Sequence, residues 1–231
     1  MKIHRDIEQG GVDWSILRSG KVTASELDNL LTPKLAIRDG AMVNTYLHQK
    51  LAEKWIGGPL PSVQGVWDME QGQILEEYAR PAFTLETGIP VEKVGFIETD
   101  DGTLGCSPDG IIGTESGLEI KCPRMETHIG YLLAGKLPEA YAAQVHGSMF
   151  VTGFAQWYFC SFRRNFPPLI ITVERDDEIQ ERIAEAVDGF RVKLAAGWNR
   201  LCELNGGEPQ RKPLSSAKPQ NWQSDPNDLI P

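Results

Sequence analysis

The chain has 231 residues, of which 41% are hydrophobic and 24% are charged, as in an ordinary globular domain. Its net charge of −9 excludes a polybasic protein that wraps nucleic acid, although a local nucleic-acid site with a focused basic patch or bound metal ions stays possible. No apolar run reaches the ~20 residues of a membrane helix and the N-terminus shows no secretory signal, so we expect a cytoplasmic protein without membrane contact.

Helical patterns dominate the first part of the chain. A capping box over residues 23–26 predicts a short helix. Apolar side chains recur every four residues from Val43 to Trp55, which predicts an amphipathic helix. A further helical pattern over residues 66–87 contains Pro81, so we expect a kink or a break there.

Strands follow and then alternate with two more helices. The predicted strands are 91–98, 103–106, 109–113, 117–122, 155–162 and 168–174. Pro138 suits the first position of one helix, and apolar residues from Ile179 to Leu201 form one side of a last helix over about 177–203. This order predicts a single α/β domain over residues 1–205, with a central mixed β-sheet flanked by helices.

Residues 206–231 differ in composition from the rest of the chain. They hold five of the fifteen prolines and several serines, glutamines and asparagines, which predicts an irregular C-terminal tail. Trp222 and the closing Leu229-Ile230 are apolar enough to dock on another surface, such as a neighbouring subunit.

Opposite charges alternate with apolar residues on one of the predicted strands. Leu118, Ile120 and Cys122 share one face of this strand, whereas Glu119 and Lys121 share the other. A solvated strand face is the commonest fate of such charges. Two opposite charges between apolar neighbours on so short a strand also fit a functional site, and the surrounding residues decide between the two interpretations.

A hairpin would bring a third charged residue to this pair. If residues 109–113 and 117–121 pair across a three-residue turn, Asp109 faces Lys121 and lies diagonal to Glu119, within reach for two carboxylates to hold one cation. A slip of one residue would move Asp109 to the opposite face. Two hard oxygen ligands suit Mg²⁺ or Mn²⁺, which keep several waters and bind substrate phosphate.

The pattern Pro108-Asp109 followed by Glu119-x-Lys121 is the PD-(D/E)-x-K signature of metal-dependent nucleases. The longer string C-S-P-D-G…G-L-E-I-K-C-P resembles the phage lambda exonuclease family of YqaJ-type viral recombinases. Three further blocks resemble motifs of that family in the same order, so the resemblance extends over about residues 12–175. These blocks are W-x-x-L-R-x-G-x-V-T-A-S-E from Trp14, G-x-x-x-E-x-x-A-R from Gly72 and Y-x-A-Q-V-x-x-S-M from Tyr141.

The resemblance implies catalytic roles for residues of these motifs. Lys121 would orient the attacking water or help to deprotonate it, and Gln144 would support the site. The implied ligands of the Mg²⁺ cofactor, for which Mn²⁺ is an alternative, are Glu76, Asp109, Glu119 and the main-chain carbonyl of Ile120.

The resemblance also implies how a DNA end is held. Arg18, Ser25 and Ser107 correspond to positions that bind the 5′-phosphate, and Met69 corresponds to an apolar wedge that opens the duplex. The implied protein is a ring-shaped homotrimer that removes nucleotides 5′ to 3′ from one strand of duplex DNA. The remaining 3′ single strand would serve recombination by a single-strand annealing protein. The resemblance implies that the protein originates from a phage or prophage and acts inside the bacterial host cell.

Several of these residues also have purely structural interpretations. Ser25 is compatible with a helix cap alone, Arg18 with a surface ion pair, and Gln144 with a boundary position of an amphipathic helix. Glu77 is a rival of Glu76, and only one of them faces the site because adjacent helical residues point about 100° apart. The spacing within the motif favours Glu76.

Two other functions stay open at the level of sequence. The first is a PD-(D/E)-x-K endonuclease or repair nuclease that needs no DNA end. The second is a non-catalytic adaptor that binds DNA ends and loads the annealing protein. The intact Asp109, Glu119 and Lys121 argue against the adaptor, since an adaptor need not retain metal ligands.

Overall fold

The computed structural model describes residues 1–61 and 66–210 of the chain, without the side chains of residues 66–74. This part contains both helices and strands and confirms the predicted α/β class. The helices are α1 (Val12–Arg18), a 3₁₀ helix (Ala24–Asn29), α2 (Ala41–Ile56), α3 (Val66–Thr87), α4 (Met125–Ala134), α5 (Glu139–Thr152) and α6 (Asp177–Asn205). The strands are β1 (Lys2–His4), β2 (Val22–Thr23), β3 (Phe96–Glu98), β4 (Leu104–Cys106), β5 (Gly110–Ile112), β6 (Ser116–Lys121), β7 (Gln156–Ser161) and β8 (Leu169–Glu174).

The predicted mixed sheet is present as two mixed sheets of four strands each. The first has the order β1–β3–β4–β2, with β2 and β4 parallel, and the second has the order β5–β6–β7–β8, with β6 and β7 parallel. The chain passes from the first sheet to the second between β4 and β5, through Ser107, Pro108 and Asp109. The segment that carries the predicted chemistry is therefore the crossing between the two sheets.

The hairpin of β5 and β6 has a different register from the predicted one. The observed pairs place Asp109 opposite Glu119, one position beyond the end of the ladder, and not opposite Lys121. The predicted turn began at Thr114, whereas the observed turn begins at Gly113, whose φ of 58° lies in the left-handed region that favours glycine. Because the shift is two residues, every side chain stays on its predicted face.

Three helices differ locally from the predicted ones. The capping-box segment forms the 3₁₀ helix, against which α5 packs so closely that a Cβ added at Gly147 would lie 2.2 Å from Leu27 Cδ1. Pro138 precedes α5 as its N-cap residue, because its own backbone is extended, with ψ of 135°. Helix α3 continues through Pro81 without a break.

A buried apolar core joins the two sheets to helices α5 and α6. Trp157 and Phe159 of β7 and Met149 of α5 are completely buried within it. Helix α6 also packs on α2, where the rings of Tyr46 and Phe190 stack with centroids 5.0 Å apart. Among the described residues, no helix is both long enough and apolar enough to cross a membrane.

Candidate active site

The charged pair of the E-x-K motif lies on β6, between β5 and β7 in the second sheet. Lys121 Nζ is 2.7 Å from Glu119 Oε1. Only 3% of the Glu119 surface is exposed, and Leu118 and Ile120, which point to the other face, are buried as well. Lys121 is partly exposed, but the buried Glu119 carboxylate needs further polar partners.

Asp109 immediately precedes β5 and is fixed by bonds from two directions. Its main-chain N–H donates to the carbonyl of Leu118 over 3.0 Å, and its Oδ2 accepts from the N–H of Ile120 at 2.5 Å. Arg80 of α3 donates from Nε to the Asp109 carbonyl over 2.9 Å. The main chain of Ile120 thus lies beside Asp109, while the role of its carbonyl as a metal ligand stays a prediction.

Helix α5 contributes two side chains to the E-x-K pair. Gln144 Nε2 donates to Glu119 Oε1 over 2.6 Å, so this oxygen is shared with Lys121. Tyr141, one turn earlier, places its ring centroid 5.2 Å from Lys121 Nζ. Burial and a hydrogen bond with Tyr131 raise the pKa of Tyr141 to about 12, so its ring stays neutral beside the ammonium group. The structure therefore brings the predicted support residue, Gln144, into contact with the pair.

Glu76 of α3 belongs to the same charged cluster. Burial and the charge of Glu119 raise the pKa of Glu76, against the effects of Lys121 and Arg80. Burial, together with the charges of Glu119 and Glu76, raises the pKa of Asp109 well above its ordinary value. Burial opposes the charge of Lys121, but the carboxylates of Glu119 and Asp109 raise the pKa of Lys121 above its ordinary value. A cation would stabilise carboxylates that repel one another in this way.

We call Glu76, Asp109 and Glu119 the carboxylate cluster. Its chemistry fits Mg²⁺ or Mn²⁺. Glu76, Asp109 and Glu119 offer hard oxygen ligands, and Mg²⁺ is commonly held by one or two carboxylates together with substrate phosphate. Among the side chains of residues 1–61 and 75–210, no three His, Cys, Asp or Glu groups already converge at metal-binding distance. One oxygen of Glu119 is engaged by Lys121 and Gln144, so a cation has to compete for it. The residues fit the ion by donor type and charge.

Two further predictions concern helix α3. Glu77 is exposed, whereas Glu76 is half-buried and interacts with the site, which favours Glu76 as the motif spacing predicts. Met69, the predicted wedge, lies outside the residues whose side chains the structure describes. Its role stays a prediction.

Arg18, Ser25 and Ser107 form a second cluster, which we call the arginine cluster. Arg18 Nη1 donates to Ser107 Oγ over 2.9 Å, and Nη2 donates to Ser25 Oγ over 3.1 Å and to Thr23 Oγ1 over 3.3 Å. The Arg18 Cζ atom lies 4.3 Å from the ring centroid of Trp14, whose Nε1 donates to Ser107 Oγ over 2.8 Å. Burial lowers the pKa of Arg18, yet a guanidinium stays protonated at neutral pH.

The arginine cluster is suited to an anion and does not fit the structural alternatives. Among the described residues Arg18 forms no ion pair with a carboxylate, so it is not a surface ion pair. The N-cap position of the 3₁₀ helix belongs to Thr23, and the hydroxyl of Ser25 contacts Arg18 instead of capping a helix. The structure thus gathers the three predicted phosphate-binding residues from α1, the 3₁₀ helix and the loop after β4.

The two clusters are joined by one short segment of chain. Ser107 of the arginine cluster and Asp109 of the carboxylate cluster are separated only by Pro108, and two residues of extended chain span about 6–7 Å. Gln9 fixes this segment, because its Nε2 donates to the carbonyl of Pro108 over 2.8 Å. An anion bound at Arg18 would therefore lie close to the carboxylates.

Four residues of the motif blocks received no predicted role in the functional site, yet they contact the two clusters. Three of them are aromatic or threonine residues, which gave no signal because such side chains at these spacings are typical of core and capping positions. Their fixed place within the motif blocks was the signal available. These residues are Trp14, Thr23, Arg80 and Tyr141.

A family model of the YqaJ-like viral recombinase domain matches residues 13–155, a range that includes every motif block. The chain belongs to this family. This YqaJ-like domain is similar to the alkaline exonuclease LHK-Exo from Laribacter hongkongensis, with 30% identity and a TM-score of 0.75 over 84% of this chain and 97% of that one. A structure of LHK-Exo in complex with dAMP matches with the same values.

A phage-related exonuclease from Haemophilus somnus 129PT shares the fold of this YqaJ-like domain. Its TM-score is 0.62 at 15% identity, over 78% of this chain and 96% of that one. Among curated proteins, none matches the chain. Family membership and the likeness to LHK-Exo support a nuclease that acts on DNA.

Proposed function

We propose that this YqaJ-like domain is a metal-dependent exonuclease that degrades one strand of linear double-stranded DNA, 5′ to 3′, from 5′-phosphorylated ends. The observation that carries the proposal is the arginine cluster, whose Ser107 lies two residues before Asp109 of the carboxylate cluster. A terminal phosphate held by Arg18 would present the neighbouring phosphodiester to the carboxylates. An endonuclease without end dependence has no need of a receptor for a terminal phosphate at this position.

The carboxylate cluster and the two side chains bound to Glu119 each have a role in the proposed cleavage. When bound, Mg²⁺ neutralises the phosphodiester and lowers the pKa of a coordinated water. Glu76, Asp109 and Glu119 would hold the cofactor, and Gln144 keeps the Glu119 carboxylate oriented through its 2.6 Å bond. Lys121 would donate hydrogen bonds to the attacking water or to a phosphate oxygen, from a position fixed by Glu119.

The arginine cluster would select the end of the strand. A terminal phosphate monoester carries up to one more negative charge than an internal diester, since its second pKa is ~6. The planar fork of Arg18 can bind such a group with two charge-assisted hydrogen bonds. Each cleavage that leaves a phosphate on the new 5′ end renews this ligand, which favours repeated cuts in one direction.

The proposal extends to the partners of the enzyme. We infer a ring-shaped homotrimer threaded by DNA, and a single-strand annealing protein that takes up the 3′ strand for recombination inside a bacterial host. The cofactor would be Mg²⁺, with Mn²⁺ as an alternative. The dAMP complex of LHK-Exo supports a stepwise mode of action, since a deoxynucleoside monophosphate is what removal of one nucleotide from DNA releases.

Digestion of one duplex with different labels at its 5′ and 3′ ends, with and without Mg²⁺, tests the proposal. We expect early release of the 5′ label as mononucleotide, persistence of the 3′ label, and no reaction without a divalent metal. Closed-circular DNA is the control and should stay intact. Cleavage of the circle would favour an endonuclease, and binding of ends without cleavage would favour an adaptor.

A further inference from the structure

The guanidinium of Arg18 has no carboxylate partner within the described part of the chain. The carboxylate of Glu26 is nevertheless only one side chain away. The side chains that accept its hydrogen bonds are the neutral hydroxyls of Thr23, Ser25 and Ser107. Thr23 Oγ1 in turn donates to Glu26 Oε2 over 2.7 Å. One hydroxyl group therefore separates the arginine from a glutamate of opposite charge.

Glu26 is held by a buried lysine on helix α2. Lys50, of which 3% is exposed, places Nζ 3.0 Å from Glu26 Oε1 and 3.0 Å from Glu53 Oε2. Tyr46 donates from its hydroxyl to Glu26 Oε2 over 3.3 Å. Glu53 also accepts from the N–H of Gly20 over 2.9 Å, which anchors the lysine to the turn between α1 and β2.

The charges of this group cancel only while the lysine is present. Arg18 and Lys50 carry two positive charges, and Glu26 and Glu53 carry two negative charges. Without Lys50, the group has an excess negative charge, and Glu26 loses its ammonium partner in a region that is largely removed from water. A buried charge that loses its partner is strongly destabilised. Arg18, which Thr23 alone separates from Glu26, is then a cation toward which this carboxylate can turn.

We propose that Lys50 is a specificity-determining positioning residue for the 5′-phosphate. By binding Glu26, it keeps the fork of Arg18 free of carboxylate and available for the dianionic phosphate of a DNA end. Lys50 does not touch that phosphate itself, because Glu26 and Thr23 lie between it and Arg18. This inference rests on the proposed function, since it concerns how the same site recognises a DNA end.

Initial rates on 5′-phosphorylated and 5′-hydroxyl duplexes, at one salt concentration, test the inference. We expect Lys50→Met to raise the KM for the phosphorylated duplex about tenfold or more, the effect of losing one charged hydrogen bond, with kcat nearly unchanged. The preference for the phosphorylated end should fall by the same factor. The double variant Lys50→Met/Glu26→Gln should recover most of the preference, because the competing carboxylate is gone.

Lys54→Met is the matched control. It removes the same charge one turn further along α2, where Lys54 Nζ lies 4.5 Å from the ring centroid of Trp198 and makes no contact with Glu26. We expect it to keep the wild-type preference. If Lys50→Met does not fold, the single variant Glu26→Gln tests the same idea. We expect Glu26→Gln to keep at least the wild-type preference for the phosphorylated end. If Glu26 were needed only for the structure of the site, this variant would lose part of that preference.

The outcomes separate this inference from the proposed function. A Lys50→Met variant with the full wild-type preference, or a double variant that recovers none of it, would overturn the role of Lys50 alone. Loss of preference in Glu26→Gln would overturn it as well. A wild-type enzyme that does not prefer phosphorylated ends would refute the proposed end recognition, and this inference with it.

Discussion

At the scale of single residues, the site is built from charges that the fold has removed from water. A solvated strand face was one interpretation of the Glu119 charge, but the structure shows this residue buried, in contact with Lys121 and Gln144. The reason is that β6 is an inner strand of its sheet and α5 covers the charged face. Glu119→Ala would therefore also leave the Lys121 charge without its partner, so an isosteric change is the better test.

Glu119→Gln should abolish cleavage, with a loss of at least ~100-fold, because the amide keeps the shape and loses the charge that attracts a cation. Isothermal titration should show weaker Mn²⁺ binding, and circular dichroism should show a folded protein. Glu77→Gln, at the exposed neighbour of Glu76, is the control and should stay active. Near wild-type cleavage by Glu119→Gln would remove this residue from the proposed metal site.

Arg18→Ala should lose most of the preference for 5′-phosphorylated over 5′-hydroxyl ends, while slow cleavage survives because the carboxylate cluster is unchanged. Arg18→Lys should lose much of it too, since a lysine cannot reproduce the two parallel bonds of a guanidinium. The measurement is the ratio of initial rates at fixed salt, because DNA affinity varies steeply with ionic strength. Arg191→Ala, at an exposed arginine paired with Asp188, is the control. An unchanged ratio in Arg18→Ala would place the phosphate elsewhere.

The sequence pointed to Arg18, Ser25 and Ser107 only through their places in family motifs. Nothing in the local sequence reveals that Arg18 contacts Ser107, which lies 89 positions further along the chain. The contacts of Lys50 could not be predicted. Its position in an amphipathic helix is that of an ordinary polar residue, and its burial depends on Glu26, which lies 24 residues away. Long-range partners of this kind become visible only when the chain is folded.

At the scale of elements, the alternation of side chains along β6 was predictable and the pairing of the strand was not. A two-residue period assigns Glu119 and Lys121 to one face whatever the register. The register depends on which residue opens the turn, and both Gly113 and Thr114 are compatible with a three-residue connection. The left-handed backbone of Gly113 decides it.

Strand β6 also depends on a close approach to β7. Gly117 pairs with Trp157, and a Cβ added at Gly117 would lie 2.3 Å from the Trp157 ring. Gly117→Ala should destabilise the protein by about 1–3 kcal/mol, as overpacked cores do, and should reduce cleavage by displacing Glu119. Urea unfolding measures the change.

Gly130→Ala provides the comparison for Gly117→Ala. Gly130 lies inside helix α4, and a Cβ added there meets nothing within 4 Å. Alanine should stabilise the helix by up to about 1 kcal/mol. Equal stability of the two variants would mean that β6 and β7 are not packed as described.

At the scale of the whole molecule, a net charge of −9 opposes the approach of DNA. The carboxylate cluster would gain compensation from bound cations, and the arginine cluster supplies a focused positive charge. Two further arginines follow β7 beside the end of β6, where Arg163 donates to the carbonyl of Pro123 over 3.4 Å and Arg164 lies 3.9 Å from the ring centroid of Tyr78. Positive side chains are therefore present at the sheet edge that Lys121 reaches, despite the acidic total.

The proposed ring makes a prediction about assembly and processivity. A cyclic trimer is closed by three identical heterologous contacts, and a ring around DNA cannot dissociate sideways between cuts. Light scattering should therefore give about three times 25.7 kDa, and digestion of labelled DNA should continue after an excess of unlabelled DNA is added. The 5′-hydroxyl duplex is an internal control, since it tests end recognition without changing assembly. A monomer at every concentration that still digests long DNA processively would contradict the ring, because some other contact would then have to retain the DNA.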